Sequence, residues 1–207
     1  TTLFRSSNNF VALGYGNPHS LIAFRALSFK KDTQITTDYL LKKIIKAWKV
    51  RSALGFKNSY RIVFSENDEL SGLIVDLYAI EQNGKKGYAF VAQMSTAGIE
   101  HLISDRLEFF KKLHTMALEE KLITTPWSHI CVVMRNDTQF RKREGLEVEP
   151  AQIVKSSDFF DLNNITIHVS SSFDQSPLDF QVDLLKGQKT GFFLDQTRNI
   201  EIVLSQL

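Results

Sequence analysis

A polar loop near the end of the chain, Lys186-Gly-Gln-Lys-Thr-Gly191, carries residue types that can bind phosphate. Glycine lets a backbone approach a phosphate closely, and lysine and threonine add charge and a hydroxyl. The phosphate-binding loop of nucleotide hydrolases requires glycine, four residues and then Gly-Lys-Ser/Thr. Here Gln188 separates Gly187 from Lys189, and the earlier glycine is missing. The segment is therefore predicted to be a polar loop of another kind.

Gly14-Tyr-Gly16 is a second glycine pair, and it does not predict a dinucleotide site. That fingerprint joins a strand to a helix. Here Asn17-Pro18 predicts a turn, and the next segment has the pattern of a strand. A tight loop is the expectation for Gly14–Pro18.

Cys131 is the single cysteine of the chain. A thiolate can serve as a covalent catalyst, but Cys131 lies in the apolar run Ile130-Cys-Val-Val-Met134. Burial makes a thiol unreactive, so Cys131 is predicted to be structural. The five histidines lack the spacing of metal ligands, and no metal site is predicted.

The positive charge of the chain is clustered, although the net charge is only +2. Eight lysines and arginines fall between Lys30 and Lys57, and a second group consists of Arg135, Arg141, Lys142 and Arg143. Such clusters can contact phosphates, or they can be ordinary solvated surface. The charge pattern alone permits a nucleic-acid partner and does not decide for one.

Composition excludes several classes of protein. The chain has 207 residues, 43% of them hydrophobic and 23% charged, as in ordinary globular domains. It has no apolar run of roughly 20 residues, so no membrane span is predicted. A single cysteine and the absence of a secretory pattern favour the reducing cytoplasm.

The first fifty residues are predicted to contain strands and one helix. Short apolar runs at 9–13 and 21–27 predict strands. The spacing of Leu41, Ile44, Ile45 and Trp48 predicts a helix that is capped by Thr36, Thr37 or Asp38 and ends at Gly55.

The middle of the chain predicts an α+β unit. Apolar runs at 60–64, 72–78, 88–92 and 130–134 predict strands. Between the last two, apolar residues from Ile99 to Ala117 keep helical spacing and predict one long helix. This order favours a helix packed on one face of a sheet.

The last fifty residues predict a hairpin, a strand and a helix. The hairpin spans Phe159–Val169 with its turn at Asn163-Asn164, and the strand spans Asp179–Leu185. Asp195 is expected to cap a final helix with an apolar stripe formed by Ile200, Val203, Leu204 and Leu207. Because that apolar face is incomplete, we expect a truncated domain.

Several of these segments, in order, resemble a family of S-adenosylmethionine-dependent large-subunit rRNA cytosine-5 methyltransferases with an N-terminal PUA domain. Residues 13–27 look like the end of the PUA domain, and 60–63 with 68–78 are similar to the opening of the central domain. Arg135-Asn-Asp137 and Arg143-Glu-Gly-Leu146 match two shorter signatures. The most specific match is Gly187-Gln-Lys-Thr-Gly-Phe-Phe-Leu-Asp-Gln196, at the entry into the methyltransferase domain.

The chain departs from the family pattern at four positions. The family usually has proline at Ser71 and arginine at Leu77, Thr197 and Ile200. Its glycine-rich cofactor loop, Asp-Pro-Pro segment and catalytic cysteine lie beyond the position that matches Leu207.

The resemblance implies an α+β fold in three parts. Residues 1–50 would be the end of a PUA-like β domain with the following helix, and 51–155 a central strand-strand-helix-strand-strand domain. Residues 156–207 would be the first hairpin and helix of a Rossmann-like methyltransferase domain, cut short.

The resemblance also implies site residues. Those beside S-adenosylmethionine would be Gln188, Lys189, Thr190, Phe192 and Phe193. The candidates for phosphate contacts with rRNA are Arg25, Arg61, Arg135, Arg141, Lys142 and Arg143. Packing of Phe192 or Phe193 at a domain junction is the alternative for at least one of these rings.

The intact protein is accordingly expected to be an rRNA methyltransferase, and this chain its inactive RNA-docking part. The alternatives are a stand-alone RNA-binding module without catalysis and a protein-interaction domain. A homo-oligomer is possible, but no feature of the sequence supports one.

Overall fold

The computed structural model describes residues 2–6, 9–169 and 178–196, and within these ranges the strands form two sheets. The smaller is antiparallel and has the order β1-β2-β3. Its strands are β1 (Thr2–Ser6), β2 (Asn9–Gly16) and β3 (Phe24–Ser28). Gly14 and Gly16 lie inside β2, so the loop predicted for Gly14–Pro18 is wrong at its first half. The backbone of Arg25 passes too close to Gly14 for any Cβ at that position.

The larger sheet has the order β10-β9-β5-β6-β7-β8, and β4 pairs with the first half of β5. Its strands are β4 (Tyr60–Phe64), β5 (Leu73–Gln82), β6 (Lys85–Met94), β7 (Ile130–Met134), β8 (Gln152–Lys155), β9 (Ile165–Val169) and β10 (Leu178–Val182). Among the described strands only β6 and β7 pair in parallel, and their crossover carries two helices. The helices are α1 (Thr37–Ala53), α2 (Ala97–Leu102), α3 (Arg106–Glu119) and α4 (Phe140–Arg143).

Both faces of the central strands are buried, in two separate cores. Alternate residues of β5 and β6 enter one core with α1 and α3. Tyr78 and Ile80 of β5, with Ala89 and Val91 of β6, face the opposite side and enter a second core with Leu184 and Leu194. Side chains alternate across a strand, and here both faces are buried. The sequence of β5 is therefore one apolar run that is interrupted by Asp76. The segment after β10 therefore covers the sheet face opposite the helices.

The predicted helix over 37–53 is confirmed. The Thr36 hydroxyl accepts a hydrogen bond from the Tyr39 amide at 3.2 Å, as expected for an N-cap. Trp48 is fully buried, and its indole N–H donates to the Tyr60 hydroxyl at 2.7 Å. The stripe of α1 packs on the central sheet, and the prediction of one core-facing side was correct.

The single long helix predicted for 99–117 is wrong, because the chain forms two helices there. The Asp105 carboxylate accepts from the Glu108 amide at 3.0 Å and caps α3, while α2 has ended at Leu102. Asp105 lies between residues of the predicted apolar stripe and is the signal for the start of a second helix. Because the helical spacing of the apolar residues continues across it, the sequence suggested one helix.

The hairpin predicted for Phe159–Val169 is also wrong. Asp161 instead accepts two hydrogen bonds from Asn163, at 3.0 Å each, and this turn leads into β9. The hairpin of this region is β9 with β10. The strand predicted for Asp179–Leu185 starts one residue earlier and ends at Val182. The predicted helix after Asp195 lies outside the described residues.

Candidate functional site

The loop that follows β10 is shaped by its own backbone. Asp183 accepts hydrogen bonds from the amides of Leu185 and Lys186, at 2.8 Å each, and the amide of Gly187 donates to the Asp183 carbonyl at 2.9 Å. Lys189 has a φ of 55° and Gly191 a φ of 119°. These left-handed positions turn the chain back, so that residues 186–195 form one compact loop.

Thr190 attaches this loop to the central sheet. Its side chain is fully buried, donates to the Asp76 carboxylate at 2.5 Å and lies 2.9 Å from the Tyr78 hydroxyl. The Phe192 amide donates to the same hydroxyl at 3.2 Å. Asp76 and Tyr78 are two residues apart on β5 and therefore face the loop together.

Asp76 also binds Arg61, which lies directly opposite it on β4. The guanidinium donates twice to the carboxylate, at 2.7 and 2.9 Å. Burial would lower the pKa of Arg61, but the hydrogen bonds and charge of Asp76 raise that pKa above its ordinary value. Burial raises the pKa of Tyr78 as well, so this hydroxyl stays neutral. One buried carboxylate thus joins strand and loop.

Arg135, just after β7, holds the opposite side of the loop. Its guanidinium donates to the carbonyls of Leu184 at 3.2 Å and Gly187 at 2.7 Å. It also forms an ion pair with Asp137 at 2.9 Å. The loop is therefore held on one side by Asp76 and Tyr78 of β5 and on the other side by Arg135.

Between these two attachments lies a cleft of about 730 Å³. Its walls carry four cationic side chains, two carboxylates and two phenylalanine rings that are partly exposed. The lining residues are Arg61, Phe64, Ile74, Gln93, Arg135, Asp137, Thr138, Lys186, Gly187, Gln188, Lys189, Phe193 and Asp195. The mixture of cations, amides and aromatic rings suits a ligand with anionic groups and flat rings.

Three of the five residues predicted beside a cofactor lie in this cleft. They are Gln188, Lys189 and Phe193. The Lys189 ammonium binds Asp195 at 2.7 Å and lies 4.7 Å from the centre of the Phe193 ring. Burial would raise the pKa of Asp195, but Lys189 lowers it below its ordinary value. Lys189 is thereby held over an exposed aromatic ring.

The other two predicted cofactor residues have structural contacts. Thr190 is buried under the loop, as described above. Phe192 packs against Phe180 of β10, with ring centres 4.8 Å apart, and joins the second core. Phe192 is thus packed against the second core, whereas Phe193 lines the cleft.

The six predicted phosphate contacts do not form one cluster. Arg61 and Arg135 line the cleft. Arg25 and Arg141 are buried and bound to protein groups: Arg25 pairs with Glu144 at 2.7 Å, and Arg141 pairs with Glu100 at 2.8 Å. Lys142 and Arg143 are exposed on α4.

Glu144 is the buried residue of the short signature Arg143-Glu-Gly-Leu146. It accepts hydrogen bonds from Asn17 at 3.0 Å, Ser20 at 2.5 Å and Arg25 at 2.7 Å. Burial would raise the pKa of Glu144, but these hydrogen bonds and the charge of Arg25 lower it below its ordinary 4.5. In this structure Glu144 connects the smaller sheet to the α4 segment.

Sequence reasoning missed Asp76, Tyr78, Phe64 and Gln93. For Asp76 a signal existed, because a carboxylate in an apolar strand needs a buried partner. For Phe64 and Gln93 no local signal existed. Cys131, in contrast, is fully buried as predicted, and burial raises the pKa of its thiol.

Comparison with known proteins gives the site a context. No family model matches the chain. The chain is 27% identical to ribosomal RNA large subunit methyltransferase I of Alteromonas mediterranea, over 94% of the chain and 42% of that protein. It is 28% identical to a protein named as a ribosomal RNA large subunit methyltransferase in Methanocaldococcus jannaschii, over 95% of the chain and 41% of the relative. The chain is similar to large-subunit rRNA methyltransferases.

Solved structures agree with this similarity at the level of the fold. A crystal structure described as a methyltransferase complexed with SAH matches 97% of the chain with a TM-score of 0.63. A SAM-dependent methyltransferase from Streptococcus mutans matches the same share with a TM-score of 0.61. Both are 15% identical to the chain, which covers 43% and 44% of them. The chain thus spans less than half of the proteins it resembles.

Proposed function

We propose that this chain is part of an S-adenosylmethionine-dependent methyltransferase that acts on large-subunit rRNA. The observation that carries the proposal is the cleft, where the most specific sequence match, residues 187–196, meets Arg61 and Arg135. Two relatives that are named as large-subunit rRNA methyltransferases match 94% and 95% of the chain at 27% and 28% identity. We place the reaction in the cytoplasm.

In this proposal the loop over 186–195 forms one wall of the cofactor site. The available groups fit S-adenosylmethionine: the Phe193 ring is 40% exposed and can pack on adenine, while Gln188 and Lys189 offer an amide and an ammonium to its polar groups. When bound, the cofactor supplies the methyl group. Asp76 and Tyr78 hold the loop in place through Thr190 and the Phe192 amide.

The exposed Lys142 and Arg143 are our leading candidates for contact with RNA phosphates. Such contacts position a nucleic acid without reading its sequence. Arg61 and Arg135 line the cleft but are already bound to Asp76 and Asp137. Arg25 and Arg141 are buried and already bound to the carboxylates of Glu144 and Glu100, and we assign them to the support of the α4 segment.

We further propose cytosine C5 as the methylated atom. That reaction needs a thiolate nucleophile. Cys131 is the sole cysteine of the sequence and is buried with a raised pKa, so the chain by itself should not transfer methyl groups. Incorporation of labelled methyl groups into rRNA by the purified chain would contradict this part of the proposal.

Mapping of 5-methylcytosine in large-subunit rRNA tests the proposed function. We expect one cytosine to lose its methyl group in cells whose gene is disrupted, and the intact gene to restore it. A gene with Lys189→Ala should restore it poorly, whereas Lys85→Ala, outside the cleft, should restore it fully. Unchanged methylation after disruption would leave RNA binding without catalysis as the function to test.

A further inference from the structure

One half of the cleft is formed by a row of side chains that crosses three neighbouring strands. Phe64 of β4 is paired with Ile74 of β5, and Ile74 is paired with Gln93 of β6. Adjacent strands lie about 4.8 Å apart, so this row makes a short, flat floor. None of these residues is fully buried. The proposed cofactor site, formed by the loop over 186–195, does not include these three residues.

Phe64 owes its position to a β-bulge. The register of β4 against β5 shifts between Arg61 and Val63. Without that shift Arg61 and Phe64, three residues apart, would face opposite sides of the sheet. With it both face the cleft, and the Arg61 guanidinium lies 5.1 Å from the centre of the Phe64 ring. The ring is still 43% exposed.

The backbone that carries the Phe64 ring and the guanidinium beside that ring are both fixed before any ligand arrives. The Phe64 amide donates to the Asp68 carboxylate at 2.6 Å, and Asp68 is bound by Arg51 at 2.5 Å. The Arg61 guanidinium under the ring is fixed by the buried Asp76. A rigid exposed ring loses little conformational freedom when a ligand stacks on it.

The charges around the ring favour an anion next to a flat group. Among the described residues, Lys186 lines the cleft without a carboxylate partner. Gln93 and Thr138 add groups that can donate and accept hydrogen bonds. An exposed aromatic ring and a free cation in one cleft are the combination with which proteins bind single-stranded nucleic acids.

We propose that Phe64, together with Lys186, Gln93 and Thr138 of the same cleft, binds a nucleotide of single-stranded RNA. The base stacks on the exposed part of the Phe64 ring, and a neighbouring phosphate contacts Lys186. In an A-form duplex the base faces are covered by their neighbours, so the site selects unpaired nucleotides. The inference rests on the proposed function and specifies the form in which the RNA substrate meets this chain.

Binding of fluorescent RNA, measured by anisotropy on the 207-residue chain, tests the site. The probes are a roughly eight-nucleotide single strand and a blunt duplex of the same sequence. We expect the single strand to bind more tightly, and Phe64→Ala to weaken it about tenfold. Phe159→Ala is the matched control, because Phe159 is 39% exposed and lies outside the cleft. It should change affinity less than twofold.

Two further variants keep the test independent of folding. Phe64→Leu retains an apolar side chain on the strand and should still lose most of the affinity for the single strand. Phe64→Trp keeps an aromatic ring and should retain that affinity. Lys186→Ala should weaken binding and reduce its salt dependence, while Lys111→Ala on α3 should not. Circular dichroism checks that each variant is folded.

The outcomes separate this inference from the proposed function. If the chain binds RNA but Phe64→Ala and Phe64→Leu bind as the wild type does, the nucleotide site is overturned and RNA docking stands. If the chain binds no RNA, the docking role itself fails. If Phe64→Ala weakens binding of S-adenosylhomocysteine and leaves RNA binding unchanged, the ring belongs to the cofactor site and the inference is wrong.

Discussion

Asp76 is the residue on which the candidate site depends most directly. It is fully buried, yet it bonds to the side chains of both Arg61 and Thr190. A buried carboxylate is tolerated when its partners satisfy its oxygens, and removal of one member of such a set leaves the others unpaired. Asp76 therefore supports both the Arg61 guanidinium and the loop over 186–195.

We expect Asp76→Asn to lower the free energy of unfolding by about 3 kcal/mol, because it leaves the Arg61 cation without a counter-charge. Urea denaturation measures the loss. The matched control is Glu120→Gln, which breaks the exposed Lys49–Glu120 ion pair and should cost less than about 1 kcal/mol. Equal losses in the two variants would contradict the special role of Asp76.

Glu144 is the buried carboxylate that connects the smaller sheet to the α4 segment. Its contribution to the free energy of unfolding should depend on pH. Its pKa is lower in the folded chain than in the unfolded one. Its contribution is therefore complete above the ordinary pKa of 4.5 and is lost as the pH falls through the folded pKa. At neutral pH, Glu144→Gln should lower the free energy of unfolding by about 3 kcal/mol.

Urea denaturation from neutral pH to below 4.5 measures this effect. The difference between the wild type and Glu144→Gln should shrink as the solution becomes more acidic. Glu119→Gln at the end of α3 serves as the control and should follow the wild type throughout. A difference that stays constant with pH would show that the charge of Glu144 does not matter.

At the scale of elements, the position of the loop over 186–195 depends on a small number of hydrogen bonds. Two side chains of β5, Asp76 and Tyr78, bind it from below, and Arg135 binds it from the side. The loop is otherwise exposed at Lys186, Gln188 and Lys189. Its local stability should therefore follow these hydrogen bonds more closely than it follows the stability of the whole fold.

We expect Tyr78→Phe to raise the rate of trypsin cleavage after Lys186 and Lys189 about tenfold, because the loop loses a buried hydrogen-bonding group. Thr190→Val should act in the same direction. Mass spectrometry of the fragments identifies the cut.

Tyr88→Phe is the matched control. Tyr88 is a partly buried tyrosine of the sheet, and within the described residues its hydroxyl makes no hydrogen bond. It should leave cleavage unchanged. A rise at all lysines of the chain would indicate global unfolding and contradict a local effect.

At the scale of the whole molecule, two sets of polar contacts help to join the smaller sheet to the rest of the described chain. The Tyr15 hydroxyl lies 2.9 Å from the Ser71 carbonyl and 2.8 Å from the Thr96 hydroxyl. Its ring lies against Gly98, where a Cβ would come within 2.2 Å of the ring. The second set consists of the hydrogen bonds to Glu144. No helix in the described part of the chain has the length and apolar character to cross a membrane.

We expect Gly98→Ala to lower the free energy of unfolding by about 2 kcal/mol, because the new methyl group displaces the Tyr15 ring. In a helix without this contact the same change should stabilise by about 1 kcal/mol. The sign therefore reports the contact. Thermal denaturation, repeated in a Tyr15→Leu background, should show that the cost of Gly98→Ala disappears. An undiminished cost there would contradict the proposed packing.

The sequence by itself determined much of the local structure. Helical spacing and a threonine cap predicted α1, and apolar runs predicted the central strands and the burial of Cys131. These features depend on residues close together in the chain, for which period and capping are informative. The resemblance also singled out residues 187–196 before any contact was known. The division into three domains and the individual roles of the site residues stay predictions.

Only the tertiary structure decided which residues meet. Thr190 bonds to Asp76 across 114 positions, and Arg25 bonds to Glu144 across 119. The bulge that turns Phe64 toward Arg61 depends on the register of β4 against β5. Two arginines that looked free to bind phosphate, Arg25 and Arg141, were buried against carboxylates. Local patterns state which face of an element is apolar, but the choice of a distant partner is made by the packing of the whole chain.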